Sequence, residues 1–474
     1  MRTFVAALVL FLVTACSGDD PTGVSAVRPE EAAVATRVSP RQVERIFSNG
    51  TNDWEPTVAA DPVDPYVYLV TTRYGAPACP RRCPDPALVY SVSNDGGTTF
   101  GPERYLCVCR GIDGQNDPQV AVARDGTVYA AWLNGFVPGV VFSRSSDHGR
   151  TWTRPKAVMG ALEFSDKPIL VISPSGRDVY IAFNASDSYM VASHDRGATF
   201  SDPVRTNRDG RYYFADGGYV APNGDVTFAE ASYTQESTGP VFIHTMQSVD
   251  GGRSWRTALV DVVAEQPDCI SEDCPSDFLG PTVGVAGSGS RNMVLVYNGA
   301  LASKQPQRVF VRRSNDGGAS WSARSELSDA PRSANSGFPT AVGSTDGDFR
   351  AWYMDDRNGP DTWNVWFRRS TDGGRTWSDE SRLSNAGRGA PYKRPGGFAH
   401  PYGDYGGLAV TSLGSTVAVW GEGASYAGPG GTWIARFETR RDDVMSGDPD
   451  TFEHVLLSRR SDSGPSRGAP TAAP

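Results

Sequence analysis

"SNDGGTTF" runs from Ser93 to Phe100, and five relatives follow it: "SSDHGRTW" from Ser145, "SHDRGATF" from Ser193, "SVDGGRSW" from Ser248, "SNDGGASW" from Ser314 and "STDGGRTW" from Ser370. Each octet reads Ser, any residue, Asp, any residue, Gly, any residue, Ser or Thr, aromatic. Asp and Ser side chains can bond to backbone groups one to three residues away and hold a turn. Gly at the fifth place takes a positive φ at little steric cost. The aromatic is expected to open the next strand and bury apolar surface. The octet therefore reads as a rigid β-hairpin turn with an anchor behind it, and Asp95, Asp147, Asp195, Asp250, Asp316 and Asp372 need no substrate to explain them.

The flanks agree. "VVFSRS" and "VFVRRS" precede two of the turns with the period-two alternation of a half-exposed strand. The octets recur about every 50 to 65 residues, a period that suits propeller blades of several strands each. Blade starts can be read as well: "DWEPTVAAD", "NDPQVAVARDG", "SDKPILVISPSG", "YYFADGGYVAPNG", "FLGPTVGVAGSG", "SGFPTAVGSTDG" and "GDYGGLAVTSLG". Seven starts stand against six octets. The seventh unit loses its pattern after "GTWIARFET", while "RQVERIF" at 41–47 resembles a lone outer strand ahead of the first blade. Joining the two would close a ring and remove an exposed edge. The expected fold is all-β: a propeller of four-stranded antiparallel blades, seven in preference to six, closed by an N-terminal strand.

The octets resemble the Asp boxes, or BNR repeats, of the sialidase superfamily of β-propellers, over about residues 50 to 435. That resemblance implies a carbohydrate-directed protein, hydrolytic in the first instance. Lyases and proteins without catalysis carry the same boxes, so a polysaccharide lyase and a non-catalytic glycan- or protein-binding propeller stay open, and so does whether the chain is an enzyme. A sialidase of this kind needs three arginines to grip the substrate carboxylate, the first in a Phe/Tyr-Arg-Ile-Pro motif. Here the nearest match, "ERIF" at 44–47, lacks the Pro, and none of the seven starts carries an Arg ahead of its tight turn. The resemblance therefore does not extend to sialic acid cleavage.

The chain opens with "MRTFVAALVLFLVTAC": one basic residue, an apolar run and small residues before a Cys. It reads as a signal peptide over 1–16, and "VTAC" resembles a bacterial lipobox in which Cys16 is lipidated. An ordinary secretory signal is the alternative. Residues 17–40 are polar and aperiodic, as a tether would be, 41–440 hold the propeller, and 441–474 form an extension with a disordered tail. The expected location is the cell envelope outside the cytoplasm, with the membrane met only through lipid. A net charge of −9 without a basic run argues against nucleic acid as partner. A monomer with no cofactor or resident metal is expected. After Cys16 come Cys79, Cys83, Cys107, Cys109, Cys269 and Cys274, an even number in an exported chain, which suggests disulfides. The spacing could hold zinc, but no His lies nearby in sequence.

One face of such a propeller carries the octets and short turns. The other carries the long segments 73–87, 262–278 and 384–404, beyond the length at which loops are usually functional or disordered. Second strands would deliver Arg73, Tyr74, Asn134, Asn184, Glu230, Asn298, Asp355, Asp356, Arg357 and Glu422 to that face. Blade starts add Asp53, Asp117, Asp166, Lys167, Asp277 and Asp404, and the longest loop adds Tyr392, Arg394, His400, Tyr402 and Tyr405. Carboxylates, amides, arginines and aromatics on one concave surface suit a sugar. The expected centre lies near blades six, seven and one: Asp356, Glu422 and His400 for the chemistry, with Arg73, Arg357, Tyr402, Asp404 and Arg394 binding the substrate. The alternative for each is a solvated or locally paired side chain.

Overall fold

Alternating apolar residues place one side of every strand against a neighbouring blade, and the chain closes on itself as a seven-bladed β-propeller with no helix among the described residues. The computed structural model describes residues 42–43, 52–75, 83–106, 114–135, 139–207, 209–234, 239–265, 281–345, 347–359, 362–384, 390–391, 406–423 and 430–437. The signal segment with Cys16, the tether, the C-terminal tail, five of the six later cysteines, Asp277, Tyr392, Arg394, His400, Tyr402, Asp404 and Tyr405 lie outside them. Cys83 is described and is disulfide-bonded.

Innermost strands run over Asn52–Ala60, Gln115–Val122, Asp166–Ile172, Tyr212–Val220, Val283–Ser288, Ser336–Gly343 and Gly407–Val410, one per blade from 1 to 7. Each is followed by a second and a third antiparallel strand. In blades 1 to 6 the third strand ends on the octet Ser, and an outer strand completes the sheet. Blade 7 takes its outer strand from the other end of the chain: Gln42 pairs with Ala435 and Val43 with Ile434. The expected closure therefore holds, and the ring has no open seam. Blade 6 gains a further short strand, Ala390–Pro391, against Thr362 and Trp363.

The core is divided among the blade interfaces. Seven apolar clusters occur among the described residues, each built from two adjacent blades. One joins Val58, Val67, Leu69 and Val89 of blade 1 to Val417, Val419 and Ile434 of blade 7, so the closing interface is as apolar as the others. Each blade therefore draws its stability from its two neighbours, as in other repeat architectures.

The octets work as read, with two differences. In the first copy the Asp95 carboxylate accepts hydrogen bonds from Ser93 Oγ at 2.7 Å, the Thr99 amide at 2.8 Å and Thr99 Oγ1 at 2.6 Å. Ser93 Oγ accepts from the Gly97 amide at 2.9 Å. The same clasp recurs in the other five copies. It thus reaches four residues along the chain rather than three. The aromatic sits half-buried ahead of the outer strand instead of opening it, directly ahead in blade 4 and a few residues ahead in the other five copies. The fifth-place glycine has a second reason to lack a side chain. A Cβ on Gly197 would stand 2.2 Å from Phe142 of blade 2, and one on Gly318 would stand 2.4 Å from Gln247 of blade 4.

These hydrogen bonds hold the octet carboxyls below their ordinary range; Asp147, Asp250 and Asp316 fall to about 2. A carboxyl depressed in the folded state contributes stability above its unfolded value near 4, and that stability is lost as pH falls through the folded value. Denaturant unfolding is therefore expected to show falling stability between about pH 4 and pH 2. Asp372→Ala should cost about 1–3 kcal/mol at neutral pH and should flatten that acid limb.

Candidate functional site

Antiparallel alternation puts the octets on one end of the barrel of blades. On the other end lie the starts of the inner strands and the ends of the second strands. Four inner strands carry the same irregularity there. Glu55, Asp117, Lys167 and Phe338 each have a positive φ of 44 to 53°, each precedes a proline, and each falls where the pairing register shifts. This is a β-bulge, which re-aims a side chain at the cost of local backbone strain. In blade 4 the register shifts at Asp216 instead. The bulges were missed in the sequence, yet they carried a signal. A proline inside a strand that otherwise reads as central belongs at a bulge.

The re-aimed groups link neighbouring inner strands around the mouth. Glu55 Oε2 accepts from the Asp117 amide at 3.0 Å and from Thr72 Oγ1 at 2.9 Å. Lys167 Nζ lies 3.2 Å from Asp216 Oδ1, and Asp216 Oδ2 accepts from the Val283 amide of blade 5 at 3.3 Å.

The second strands add a polar residue at the matching level of every blade: Arg73, Asn134, Asn184, Glu230, Asn298, Asp355 and Glu422. Four are absorbed by their own blade. Arg73 holds Asp53 at 2.7 Å and Glu103 at 2.6 Å. Asn134 Oδ1 accepts from Gln115 and from the Trp132 indole. Asn298 bonds Gln307 and the Thr282 amide. Asp355 receives Arg357 and the Trp366 indole.

Blades 3 and 4 differ. Asn184 is 1% exposed, and neither polar atom of its side chain has a partner of hydrogen-bonding geometry among the described residues, although the Tyr212 hydroxyl lies beside it. Glu230 is fully buried; Oε1 accepts from Ser188 Oγ at 2.7 Å and Oε2 has no partner among the described residues. Burial raises the Glu230 carboxyl to about 8, so it is neutral at pH 7 and can donate a hydrogen bond. At the mouth end of blade 4, Tyr212, Phe214 and Tyr233 form a run of half-buried rings. Their centroids are 5.0 and 6.2 Å apart in edge-to-face contact, and Lys167 lies over Phe214 at 5.6 Å. The sequence reading took "YYFADGG" as a blade start and missed this platform, although three aromatics at one start were visible.

The residues named from sequence are placed as follows. Glu422 ends the second strand of blade 7, 8% exposed, with Oε2 accepting from the Trp420 indole at 3.0 Å. Burial raises its carboxyl to about 7 against that hydrogen bond. Asp356 follows the second strand of blade 6, and its Oδ1 accepts from the Asn335 amide at 2.8 Å. Arg357 turns away from Asp356, gripping Asp355 and Glu380 while its guanidinium lies 3.9 Å from the Trp366 ring. Blades 7 and 1 meet through Thr71 and Thr432 at 3.0 Å, which brings the strand ends bearing Glu422 and Arg73 to one interface. Both arginines are thus occupied by carboxylates of the frame. His400, Tyr402, Asp404 and Arg394 lie outside the described residues. Among those described, no cluster of three His, Cys, Asp or Glu could hold a metal.

No family model and no curated protein matches the chain. Solved structures share its fold. One is an ulvan lyase of polysaccharide lyase family PL25, with a TM-score of 0.50 at 12% identity over 84% of this chain and 96% of that one. A protein of unknown function from Dyadobacter fermentans gives 0.48 at 16% identity, over 84% and 99%. A sialidase from Streptococcus pneumoniae gives 0.44 at 10%, over 86% and 71%. What they share is the propeller.

Glu230 supplies a test of this geometry. An acid raised in the folded state makes stability fall as pH rises from its unfolded value near 4.5 to about 8, because only the unfolded chain ionises in that window. Glu230→Gln should match the wild type near pH 4 and exceed its stability at pH 8 by at least about 1 kcal/mol. Parallel unfolding curves at all pH values would contradict the buried neutral carboxyl.

Proposed function

We propose that this chain is an exported, lipid-anchored propeller of the sialidase, or Asp-box, type that acts on carbohydrate by hydrolysis at its irregular mouth. The observation that carries the reading is the run of rings Tyr212, Phe214 and Tyr233 at the mouth, with the Tyr212 hydroxyl beside Asn184. Flat rings take the apolar face of a sugar, and a hydroxyl on the same surface takes one of its hydroxyls. An oligosaccharide lying across the mouth would rest one ring on this platform and present a glycosidic bond towards blades 6, 7 and 1. There Glu422, held near 7, is the proton donor, with Asp356 and His400 as the accompanying chemical groups. Tyr402, Asp404 and Arg394 would bind the substrate, while Arg73 and Arg357 act through the strand ends they brace. Cys16 would carry the anchor.

A second reading, a glycan binder without turnover, is favoured by one feature: Arg73 and Arg357 are both committed to carboxylates within their own blades. Incubation with a panel of polysaccharides separates the readings. New reducing ends support hydrolysis, and binding without new ends supports the second reading. Ultraviolet absorbance from an unsaturated uronate would replace hydrolysis by elimination. Under hydrolysis, Glu422→Gln should lower kcat at least tenfold, about 1.4 kcal/mol, with thermal stability retained. A general acid must be protonated, so activity should decline as pH rises through about 7, and this limb should be absent from the residual activity of the variant.

A fluorogenic sialoside should remain intact with the purified protein, because the Phe/Tyr-Arg-Ile-Pro motif is missing and Arg73 and Arg357 are already held by carboxylates. Arg211 is likewise spent on Ser232 and the Pro240 carbonyl. Saturable turnover of the sialoside would overturn that expectation.

A further inference from the structure

The octet face is uniform in four copies and departs from uniformity in two. The fourth place of the octet is glycine at Gly96, Gly251, Gly317 and Gly373, each with a positive φ. In blades 2 and 3 the same place holds His148 and Arg196, at φ values of 57 and 64°. A residue with a side chain pays in strain for that conformation. For His148 the compensation is visible. Its ring stacks on Tyr66 at 4.1 Å and meets the Tyr68 hydroxyl at 3.3 Å, which fastens blade 2 to blade 1.

Arg196 is different: its side chain is 41% exposed, and its one carboxylate contact is Asp125, itself 44% exposed. Exposed pairs of this kind contribute little to stability. The guanidinium instead lines a cleft between blades 2 and 3, together with Arg144, Trp152, Thr127, Ser146 and Thr151. Arg144 crosses from blade 2 to donate to the Arg196 carbonyl at 2.8 Å. That crossing contact belongs to the frame, since Arg436 makes it to Gly96 and Gln247 makes it to Gly317. In those two cases the octet residue is glycine and brings no side chain. Among these contacts, only the one between blades 2 and 3 has an arginine at the octet position as well, so that Arg144 and Arg196 line the same cleft. Lys156 also donates to carbonyls of the Arg196 octet, at Gly197 and Ala198. Two arginines therefore line one cleft, in a chain whose net charge is −9.

We propose that this cleft on the octet face is a binding site for an acidic sugar residue, bearing a sulfate ester or a uronate carboxylate. Paired guanidiniums present planar forks to an oxyanion. The indole of Trp152 offers a flat apolar surface for the ring, and the Thr and Ser hydroxyls are suited to its hydroxyls. The site stands apart from the mouth and does not depend on the activity proposed there. Its role would be to hold an acidic glycan on the outside of the propeller.

The test uses the sister octets as a guide. Arg196→Gly installs the residue that four copies carry, and Arg144→Gln installs the residue found at the corresponding contact of blade 4, so both substitutions have precedents in the same fold. Calorimetric titration of the purified protein with a sulfated oligosaccharide and with an oligouronate distinguishes the two sources of the oxyanion. A neutral oligosaccharide and inorganic sulfate serve as controls. At least one acidic oligosaccharide should bind more tightly than the neutral one and than sulfate alone, with affinity falling as salt rises. Arg196→Gly should weaken that binding at least tenfold while leaving the melting temperature unchanged or higher. Phe214→Ala, at the mouth, should leave it intact. The proposal is overturned if neither acidic oligosaccharide binds, if inorganic sulfate binds as tightly as the oligosaccharides, or if Arg196→Gly binds like the wild type. Loss of this binding in Phe214→Ala but not in Arg196→Gly would move the acidic sugar to the mouth.

Discussion

Close approach between each octet and the blade before it is the constraint on which the rest of the ring depends. The Ser–Asp clasp curls the chain tightly enough for the fifth-place glycine to touch the preceding blade, where a methyl group would collide with Phe142 or Gln247. Six such contacts set the pitch between blades. The seven apolar clusters can then fill the wedges between them. The seventh blade lacks an octet and is held by a different device, the N-terminal pair Gln42 and Val43 against Ala435 and Ile434. A ring closed by joining its two ends leaves no seam to open first.

A frame built in this way leaves its two ends chemically unequal. On the octet end the carboxylates are saturated by short local bonds and stay ionised. On the other end the polar residues sit at strand ends between apolar blades, where water is excluded and local backbone donors are already used in the sheet. Their state depends on which partner stands beside them. Asp355 finds Arg357 and Arg73 finds Asp53, whereas, among the described residues, Glu422 finds an indole and Glu230 a hydroxyl. Burial pushes both glutamates toward neutrality, and it raises the Asp355 carboxyl too, against the pull of Arg357.

Much of the fold was legible because its signals are local. An octet is complete within eight residues, and an inner strand announces itself by alternation followed by a tight turn. The same local reading went astray where a residue's surroundings come from elsewhere in the chain. Glu230 appeared as one polar strand end among ten, and nothing near it in sequence distinguishes it from Asn298. Arg357 was expected to serve a ligand, but Glu380, twenty-three residues on, occupies it. The bulge prolines after Glu55, Asp117, Lys167 and Phe338 were in plain view, yet their meaning requires knowing that the strand is central rather than an edge.

By itself, then, the sequence determined the repeat, the number of blades, the closing strand and the separation of a uniform face from an irregular one. Each of these follows from short-range hydrogen bonding, glycine at left-handed positions and the two-residue period of a strand. Only the tertiary structure decided which described polar groups lack a partner, which carboxyls burial raises, and that Arg144 and Arg196 line one cleft. Those properties arise from residues in adjacent blades meeting across an interface from which water is excluded. In such a setting a single partner, present or missing, decides whether a group is charged.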